Sequence, residues 1–383
     1  MPLIGVGINV VFEGLLLLLT LPTVFLRRNA YKIWAILLLL FWGASTTWSI
    51  NPSSFDSYWK YSLPYVVALA ISTIITSEQD VEKLLKINIM AAFLCGLYVL
   101  LFVNTGNLSV DRLGGSEEGR LWNANDIGIK MTIGYASSLY FMLTNNKNRI
   151  LWYPFLGIFL LVSFFSGSKS VLILIVSFTT LLIIARSKGK RIVLYSIASV
   201  FLILGLFWAI MNVPALYDIL GRRVELMITG LTGGDGGYSM DTRNMMIVNG
   251  ISWFLERPWL GYGFNGYSTL YGQLTGWEVY SHSNIIEMLV NSGIIGFMLY
   301  YSLTFYILIK LWKPALERKD PLALILFLYT IIATVLDYVV ISYVNVPYIV
   351  RLMYTAMYCQ ILKNGEVTVV EPRLKYKNKK FSS

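Results

Sequence analysis

Residues 213–287 combine side chains that bind anions with one that can accept a proton. The segment has four arginines and no lysine, and near its end lies His282, the only histidine in the sequence. A planar guanidinium holds a phosphate or carboxylate through two parallel hydrogen bonds, which a lysine cannot do. An imidazole changes its charge near neutral pH and can serve as a general base. The pattern predicts a segment that binds a phosphate-like anion beside a proton acceptor.

Long apolar runs flank this segment and determine its surroundings. The 383 residues are 56% hydrophobic and 14% charged, with a mean hydropathy of +0.63, which is typical of a polytopic membrane protein. We predict an all-α fold with about 11 transmembrane helices, each about 20 residues long to cross about 30 Å of hydrocarbon. The predicted crossings lie near residues 3–26, 33–50, 61–77, 87–103, 126–144, 150–166, 170–185, 192–212, 288–309, 322–341 and 346–362.

Lysines and arginines are distributed unevenly between the two sides of this arrangement. Alternate connections and the C-terminal tail carry 21 of the 31 basic residues. Short loops rich in such residues stay in the cytoplasm, so we predict a cytoplasmic-membrane protein with its N-terminus outside. Residues 1–383 then form a single membrane domain, with a large extracytoplasmic loop at 213–287 and a basic cytoplasmic tail at 363–383. The net charge of +10 mainly reflects this topology, and the basic surface attracts anionic lipid. Because the basic residues are dispersed over many loops, nucleic-acid binding is disfavoured.

The other ten basic residues are mostly arginine, whereas lysine dominates the cytoplasmic set. Topology needs only positive charge, so this preference for arginine favours anion recognition. The set comprises Lys60, Arg112, Arg120, Lys130, Lys169, Arg222, Arg223, Arg243, Arg257 and Arg351. Alternatively, the loop arginines pair with carboxylates and hold the loop together. The candidate carboxylates are Asp218, Glu225, Asp235, Asp241 and Glu256.

Helix signals divide the large loop. An amphipathic helix is predicted over 213–231, and a glycine-rich break follows over 232–237. A second helix is predicted over 241–256, with Asp241 or Thr242 as its cap and Pro258 ending it. A further helix begins at Ser283 or Asn284, with Asn284 and Glu287 resembling a capping box. His282 would then lie just before a helix N-terminus, where free N–H groups bind anions and the dipole favours neutral imidazole.

Aromatic residues are dense between positions 253 and 280. They are Trp253, Phe254, Trp259, Tyr262, Phe264, Tyr267, Tyr271, Trp277 and Tyr280. Rings at the water boundary commonly form an interfacial belt. They also suit a sugar-binding surface, because the apolar face of a pyranose stacks on an aromatic ring. Both interpretations stay open.

Several classes of site are disfavoured. Cys95 and Cys359 fall inside predicted spans, and one histidine without a cysteine cluster makes a zinc site improbable. The chain has no nucleotide-binding glycine loop and no Asp-x-Asp pair for a metal-bound nucleotide sugar. It also has no internal repeat of the kind found in many transporters. We therefore predict no cofactor and no metal.

Four stretches resemble the O-antigen polymerase and ligase superfamily. Gly119 to Asp126 is similar to an arginine followed by Asn-x-Asn before a span, and Ser166 to Ser170 resembles an outer turn in which Lys169 replaces the usual arginine. Asp241 to Gly263 is similar to an arginine helix leading to Pro-Leu-x-Gly-x-Gly, with Trp259 in place of leucine. Ser281 to Asn284, together with Gly293 to Gly296, resembles the start of the following span.

The resemblance implies a membrane glycosyltransferase that acts at the outer face of the cytoplasmic membrane, without a metal and with inversion. The implied donor is an undecaprenyl-diphosphate-linked oligosaccharide, and the implied partners are membrane lipid, a flippase and a chain-length regulator. Arg243 and Arg120 are the first candidates for the diphosphate, and His282 for activating the acceptor hydroxyl. Arg222, Arg223, Arg257 and Lys169 are further diphosphate candidates, and Trp259, Tyr262, Tyr267 and Asn284 are glycan candidates.

Three functions therefore compete. A polymerase would join repeat units into O-antigen, capsule or exopolysaccharide. A ligase would transfer a finished chain to another acceptor through the same chemistry. A transporter or flippase of an anionic solute is the non-enzymatic alternative, but it would need more charged residues inside the spans than the sequence has.

Overall fold

In the computed structural model, residues 28–102, 124–144, 149–232 and 238–377 are described, and these ranges contain helices and no strand. We number the α-helices in chain order. They are α1 Ala30–Ser45, α2 Ser54–Ser72, α3 Glu78–Phe102, α4 Ala124–Thr144, α5 Tyr153–Phe165, α6 Lys169–Arg186, α7 Lys190–Asn212, α8 Arg222–Leu231, α9 Tyr238–Glu256, α10 Gly266–Thr275, α11 Asn284–Trp312, α12 Pro321–Leu336 and α13 Val346–Lys377.

Four stretches of the described chain are long and apolar enough to cross a membrane. They are α3, α6, α7 and the run Asn284–Glu317, which extends α11 by a π turn. Three shorter helical stretches are also apolar: α1, Arg149–Phe165 and α12. The chain is therefore an all-helical membrane protein. The crossing predicted at 3–26 lies outside the described residues.

Some predicted boundaries are wrong because hydropathy does not register backbone breaks. The span predicted at 33–50 ends at Ser45, and the one predicted at 322–341 ends at Leu336. After Leu336 the backbone stays non-helical until α13 begins at Val346. The second interruption lies within largely apolar sequence, where the pattern alone favours an unbroken helix. The first is accompanied by polar residues, since Thr46, Thr47 and Ser49 follow Ser45.

The large loop is mostly helical, as predicted. Helical backbone runs from Pro214 to Leu231, with a π turn over Tyr217–Gly221. The predicted cap of the next helix is wrong: α9 already begins at Tyr238, so Asp241 and Thr242 lie inside it. An acid in the first turn is favoured there by the helix dipole. The helix ends at Glu256, before Pro258, as predicted.

Ser283 caps α11, and its hydroxyl accepts a hydrogen bond from the Ile286 N–H at 3.4 Å. The capping box predicted from Asn284 and Glu287 is wrong because Asn284 lies inside the helix. Instead, Oε2 of the buried Glu287 accepts from the Ser281 N–H at 2.8 Å. This contact fixes the turn that carries His282.

A backbone break at Gly293 interrupts α11 (φ +60°, ψ −170°). The segment after α9 fills this break: the Ile294 N–H donates to the Pro258 carbonyl, and the Tyr262 N–H donates to the Val290 carbonyl, both at 2.8 Å. Irregular backbone at membrane depth is tolerated where the surrounding protein satisfies its polar groups. These bonds tie the large loop to α11.

An aromatic cluster around Trp42 joins α1 to the later helices. The fully buried indole is in edge contact with Tyr65 at 5.3 Å between ring centroids and stacks with Tyr300 at 6.3 Å. Phe264 and Tyr343 lie 5.4 and 5.9 Å from it. Buried ring pairs of this kind contribute about 0.5–1.5 kcal/mol each beyond burial alone. The cluster links α1, α2 and α11 with the segments that precede α10 and α13.

Replacing Gly293 with alanine should lower the free energy of unfolding by at least about 2 kcal/mol, because only glycine readily adopts this backbone conformation. An added Cβ would also lie 2.3 Å from the Trp259 carbonyl. The measurement is the thermal unfolding midpoint of the detergent-solubilised protein, followed by tryptophan fluorescence.

Gly157→Ala and Gly205→Ala serve as matched controls, since both glycines lie inside helices with open space around them. These variants should be neutral or slightly more stable. A Gly293→Ala protein that unfolds at the wild-type temperature would contradict the role assigned to the break.

Candidate functional site

A cavity of about 180 Å³ brings together five separate parts of the chain. Its walls come from the starts of α4 and α6, from α9, from the turn before α11 and from the α12–α13 connection. The lining residues are Asn125, Asp126, Ile129, Ser168, Lys169, Ser170, Arg243, Tyr280, His282, Val339, Val340, Ile341, Val344 and Asn345. One part of this lining is polar and charged, whereas the α12–α13 connection contributes mostly aliphatic side chains.

The side chain of Asn284 joins two of these walls. Its carbonyl oxygen accepts from the N–H groups of Ser342 and Tyr343 at 3.0 and 2.9 Å, and its amide donates to the Tyr301 hydroxyl at 3.0 Å. Its own N–H donates to the Asp337 carbonyl at 2.8 Å. The turn that carries His282 is thereby attached to the α12–α13 connection.

His282 lines the cavity with a left-handed backbone (φ +59°). This conformation is uncommon for a residue with a side chain, and the hydrogen bonds of Ser281 and Ser283 around it maintain it. The imidazole lies 4.4 Å from the Tyr280 ring, measured between centroids. Burial and the nearby charge of Arg243 lower the pKa of His282 to about 4. At neutral pH the ring is therefore uncharged and can accept a proton.

Arg243 extends from α9 into the same cavity. The Met246 carbonyl of this helix accepts from the Tyr267 hydroxyl of α10 at 3.0 Å. The buried Met246 side chain shares an apolar cluster with Ile286 and Val290 of α11. Burial lowers the pKa of the Arg243 guanidinium, but such a group stays protonated in proteins. No carboxylate of the described residues lies within ion-pair distance of it. The cavity thus contains a positive charge that is available to an anionic ligand.

Lys169 supplies a second cation at the start of α6. Its ammonium donates to the Arg223 carbonyl at 3.4 Å, and the Arg223 guanidinium donates to the Gly167 carbonyl at 3.2 Å. Arg223 therefore supports the turn that presents Lys169, and it is not among the residues that line the cavity. Of these two diphosphate candidates, the structure places only Lys169 beside Arg243.

The remaining arginine candidates lie elsewhere or are not described. Arg222 and Arg257 are exposed and do not line the cavity, and Arg257 lies 4.5 Å above the Tyr262 ring. Arg120 lies outside the described residues. The alternative that the loop arginines pair with acids finds no support here: Glu225 and Glu256 accept from the hydroxyls of Tyr217 and Tyr262.

None of the four glycan candidates is among the residues that line the cavity. Tyr267 and Asn284 are fully buried and bind the protein's own backbone. Tyr262 is also buried, and Trp259 is 70% exposed beside the break in α11. The three aromatic candidates belong to the segment that the sequence assigned either to an interfacial belt or to a sugar-binding surface. Glycan binding by these residues stays a prediction.

The cavity also contains Tyr280, Asp126 and Asn345. Tyr280 belongs to the aromatic segment that the sequence offered as a belt or a sugar-binding surface, whereas the other two were not named as site residues. Burial and the negative charge of Asp126 raise the pKa of Tyr280. Asp126 and Asn345 are far apart in sequence, yet the Asn345 amide donates to the Asp126 carboxylate at 3.2 Å. Asp126 ends a motif quoted above, but nothing in the local sequence marked Asn345.

The arrangement suits a polar reaction of an anionic substrate. Two cations can stabilise negative charge that develops on a leaving group, and an uncharged imidazole can take a proton from an incoming nucleophile. Within the described residues no three His, Cys, Asp or Glu side chains group as metal ligands. The chemistry available to these residues is electrostatic stabilisation with proton transfer.

Comparison with known proteins agrees with this geometry. A family model described as O-antigen ligase matches residues 154–301, which is less than half of the chain. The match includes Lys169, Arg243, Tyr280 and His282, whereas Asp126 and Asn345 lie outside it. The comparison with curated proteins gives no match. This part of the chain is therefore similar to the O-antigen ligase family.

Proposed function

We propose that the protein is a polysaccharide repeat-unit polymerase that elongates an O-antigen, capsule or exopolysaccharide chain. Its donor would be an undecaprenyl-diphosphate-linked glycan, and its acceptor a sugar hydroxyl. The observation that carries the proposal is the presence of Arg243, Lys169 and His282 in one cavity. The O-antigen ligase family match over the same residues supports it.

On the donor side, the diphosphate would bind to Arg243 and Lys169. A guanidinium with no carboxylate within ion-pair distance among the described residues can donate two parallel hydrogen bonds to phosphate oxygens. As the bond to the sugar breaks, negative charge grows on the diphosphate, and fixed cations in a partly buried site stabilise that charge. Arg120 stays a proposed further contact to the diphosphate.

On the acceptor side, His282 would remove the proton of the incoming hydroxyl. The hydroxyl oxygen attacks the anomeric carbon of the donor from the face opposite the diphosphate, so the configuration inverts. The carbon–oxygen bond to the diphosphate breaks with its electron pair, and the hydroxyl proton passes to the imidazole. General-base assistance of this kind typically contributes about 100-fold to 10,000-fold in rate.

The proposed setting is the outer face of the cytoplasmic membrane. About 11 spans would cross the bilayer, since one apolar run of crossing length precedes the described helices. The N-terminus would lie outside and the basic tail inside, following the distribution of lysines and arginines. A flippase would supply the lipid-linked repeat unit, and a chain-length regulator would act on the product.

The second candidate is an O-antigen ligase, which the description of the matched family favours. Ligase and polymerase share the donor and the bond chemistry, and they differ in the acceptor. We prefer the polymerase because the sequence has no recognisable feature for a lipid-core acceptor. A transporter of an anionic solute would bind the same donor without cleaving it.

One experiment separates these functions. The protein is purified into lipid nanodiscs and supplied with lipid-diphosphate oligosaccharide. This substrate is isolated from cells that lack the protein. A polymerase produces a ladder of lengthened lipid-linked glycans. A ligase produces no ladder, but it transfers the glycan once a lipid-core acceptor is added. A transporter leaves the substrate chemically unchanged, which would refute the proposal.

Arg243→Lys should lower polymer formation at least about tenfold, because the remaining charge cannot make the two-point contact with phosphate. Product is measured by gel separation of labelled lipid-linked glycan. Arg222→Lys is the matched control, since this exposed arginine lies outside the cavity and its replacement should keep wild-type activity. Wild-type polymer length in Arg243→Lys would count against the assignment.

His282→Ala should abolish transfer, with a loss of at least about 100-fold, while labelled lipid-linked donor still binds. Donor binding is measured by filtration of the nanodiscs, and transfer by the ladder assay. A thermal unfolding midpoint close to wild type shows that the variant is folded. An active His282→Ala protein would remove the proton-accepting role.

The pH dependence should reveal the electrostatic coupling of His282 and Arg243. Because the pKa of His282 is lowered to about 4, its ring is neutral above that value, and transfer at limiting donor should fall only as the pH drops through about 4. Bound diphosphate offsets the Arg243 charge and raises the pKa of His282. The acid limb at saturating donor should therefore lie at higher pH. Initial rates measured from pH 3.5 to 8 test this. A rate at limiting donor that already falls as the pH drops through about 6.5 would contradict the lowered pKa of His282.

A further inference from the structure

We propose that Asp126, Asn345 and Tyr280 form a binding site for the acceptor sugar, here called the acceptor corner. Its ligand would be a neutral saccharide with adjacent hydroxyl groups, held so that one hydroxyl faces His282. This inference rests on the proposed glycosyl transfer and adds to it the residues that recognise the acceptor. The first two residues lie outside the matched family domain and were not named as site residues from the sequence, whereas Tyr280 belongs to the aromatic segment described there.

The acceptor corner contains an unmet hydrogen-bond acceptor. Asn345 is only 8% exposed, and its amide nitrogen donates to Oδ1 of Asp126 at 3.2 Å. Its other polar atom, Oδ1, is buried and has no hydrogen-bond partner among the described residues. Buried polar atoms in proteins are nearly always paired, so an unpaired one in a cavity wall indicates a donor that arrives with a ligand. A sugar hydroxyl is such a donor.

Asp126 provides a second acceptor beside the first. The residue is exposed at the cavity, and Asn345 uses one of its carboxylate oxygens. An ionised carboxylate has about four lone-pair positions, so one bond from Asn345 leaves capacity for hydroxyl donors. A carboxylate next to an amide oxygen can accept from two neighbouring hydroxyls of one sugar ring.

Tyr280 provides an apolar surface next to these acceptors. Its ring is 39% exposed, lines the cavity and lies 4.4 Å from the His282 ring. A pyranose has polar edges and an apolar C–H face, and aromatic rings bind such faces. A sugar stacked on Tyr280 would be next to the imidazole that removes the hydroxyl proton.

Charge separates the acceptor corner from the donor site. Arg243 and Lys169 suit the diphosphate, whereas the negative Asp126 would repel it. Hydroxyl groups are uncharged donors and are attracted to a carboxylate. The cavity therefore has distinct groups for the anionic donor and for a neutral acceptor.

Asp126→Asn, Asn345→Leu and Tyr280→Leu test the inference in nanodiscs. The donor is the labelled lipid-diphosphate oligosaccharide from cells lacking the protein, and the acceptor is the same oligosaccharide released from its lipid. Each variant should raise the KM for the released oligosaccharide at least about tenfold, because a strong contact to it is lost. The KM for the donor should change less than about twofold. Asp241→Asn, an exposed acid on α9, is the matched control.

A second measurement tests the acceptor corner without catalysis. Binding of the released oligosaccharide, with no donor present, is followed by calorimetry for wild type and variants, and each cavity variant should bind at least about tenfold more weakly. Binding equal to wild type, or a rise in KM confined to the donor, would overturn the inference. A wild-type protein that binds the oligosaccharide but forms no product would refute the proposed function and leave the acceptor corner standing.

Discussion

The hydrogen bonds of Asn284 are the interaction on which the cavity depends. Two stretches of chain leave helical geometry inside an apolar, membrane-spanning protein: the turn before α11 and the connection between α12 and α13. Water is not available in a bilayer to satisfy such backbone, so the protein must do so. One buried amide binds Ser342, Tyr343 and Tyr301, and its own N–H binds Asp337. The two breaks satisfy each other and form opposite walls.

The same arrangement determines the electrostatics of the cavity. His282 and Arg243 come from different elements and are brought together in a partly buried space, where like charges interact more strongly than in water. The positive charge stays on the guanidinium because its pKa is far above that of an imidazole. Burial and the charge of Arg243 together keep His282 neutral and able to accept a proton, while Arg243 is able to bind an anion.

Much of the fold was predictable because membrane helices are dictated by hydropathy. Described helices occur at ten predicted crossings, and the loop helices near 213–231 and 241–256 are present. Helix ends were less predictable: the helices that end at Ser45 and Leu336 stop short of the predicted bounds, and Gly293 interrupts another. The break at Gly293 involves partners distant in the chain, since the Ile294 N–H donates to the Pro258 carbonyl. Local pattern contains no record of such partners.

The candidate site was only partly predictable from residue type. His282, Arg243 and Lys169 were named from the sequence and line one cavity, whereas Arg222, Arg223 and Arg257 do not line it. The glycan candidates do not line it either. Tyr267 packs against Trp253 and Tyr271, and Asn284 holds two backbone segments.

By itself the sequence determined that the chain crosses a membrane as helices, and that four arginines and the single histidine lie in one segment, residues 213–287. Composition and periodicity suffice for this because the side chains of each apolar run decide whether that run enters hydrocarbon. The tertiary structure alone decided which of these groups meet. It joined Asp126 to Asn345 and directed Arg223 to the Gly167 carbonyl, and among the described residues it left Arg243 without a carboxylate within ion-pair distance. Such outcomes depend on distances between segments far apart in the chain, and packing determines those distances.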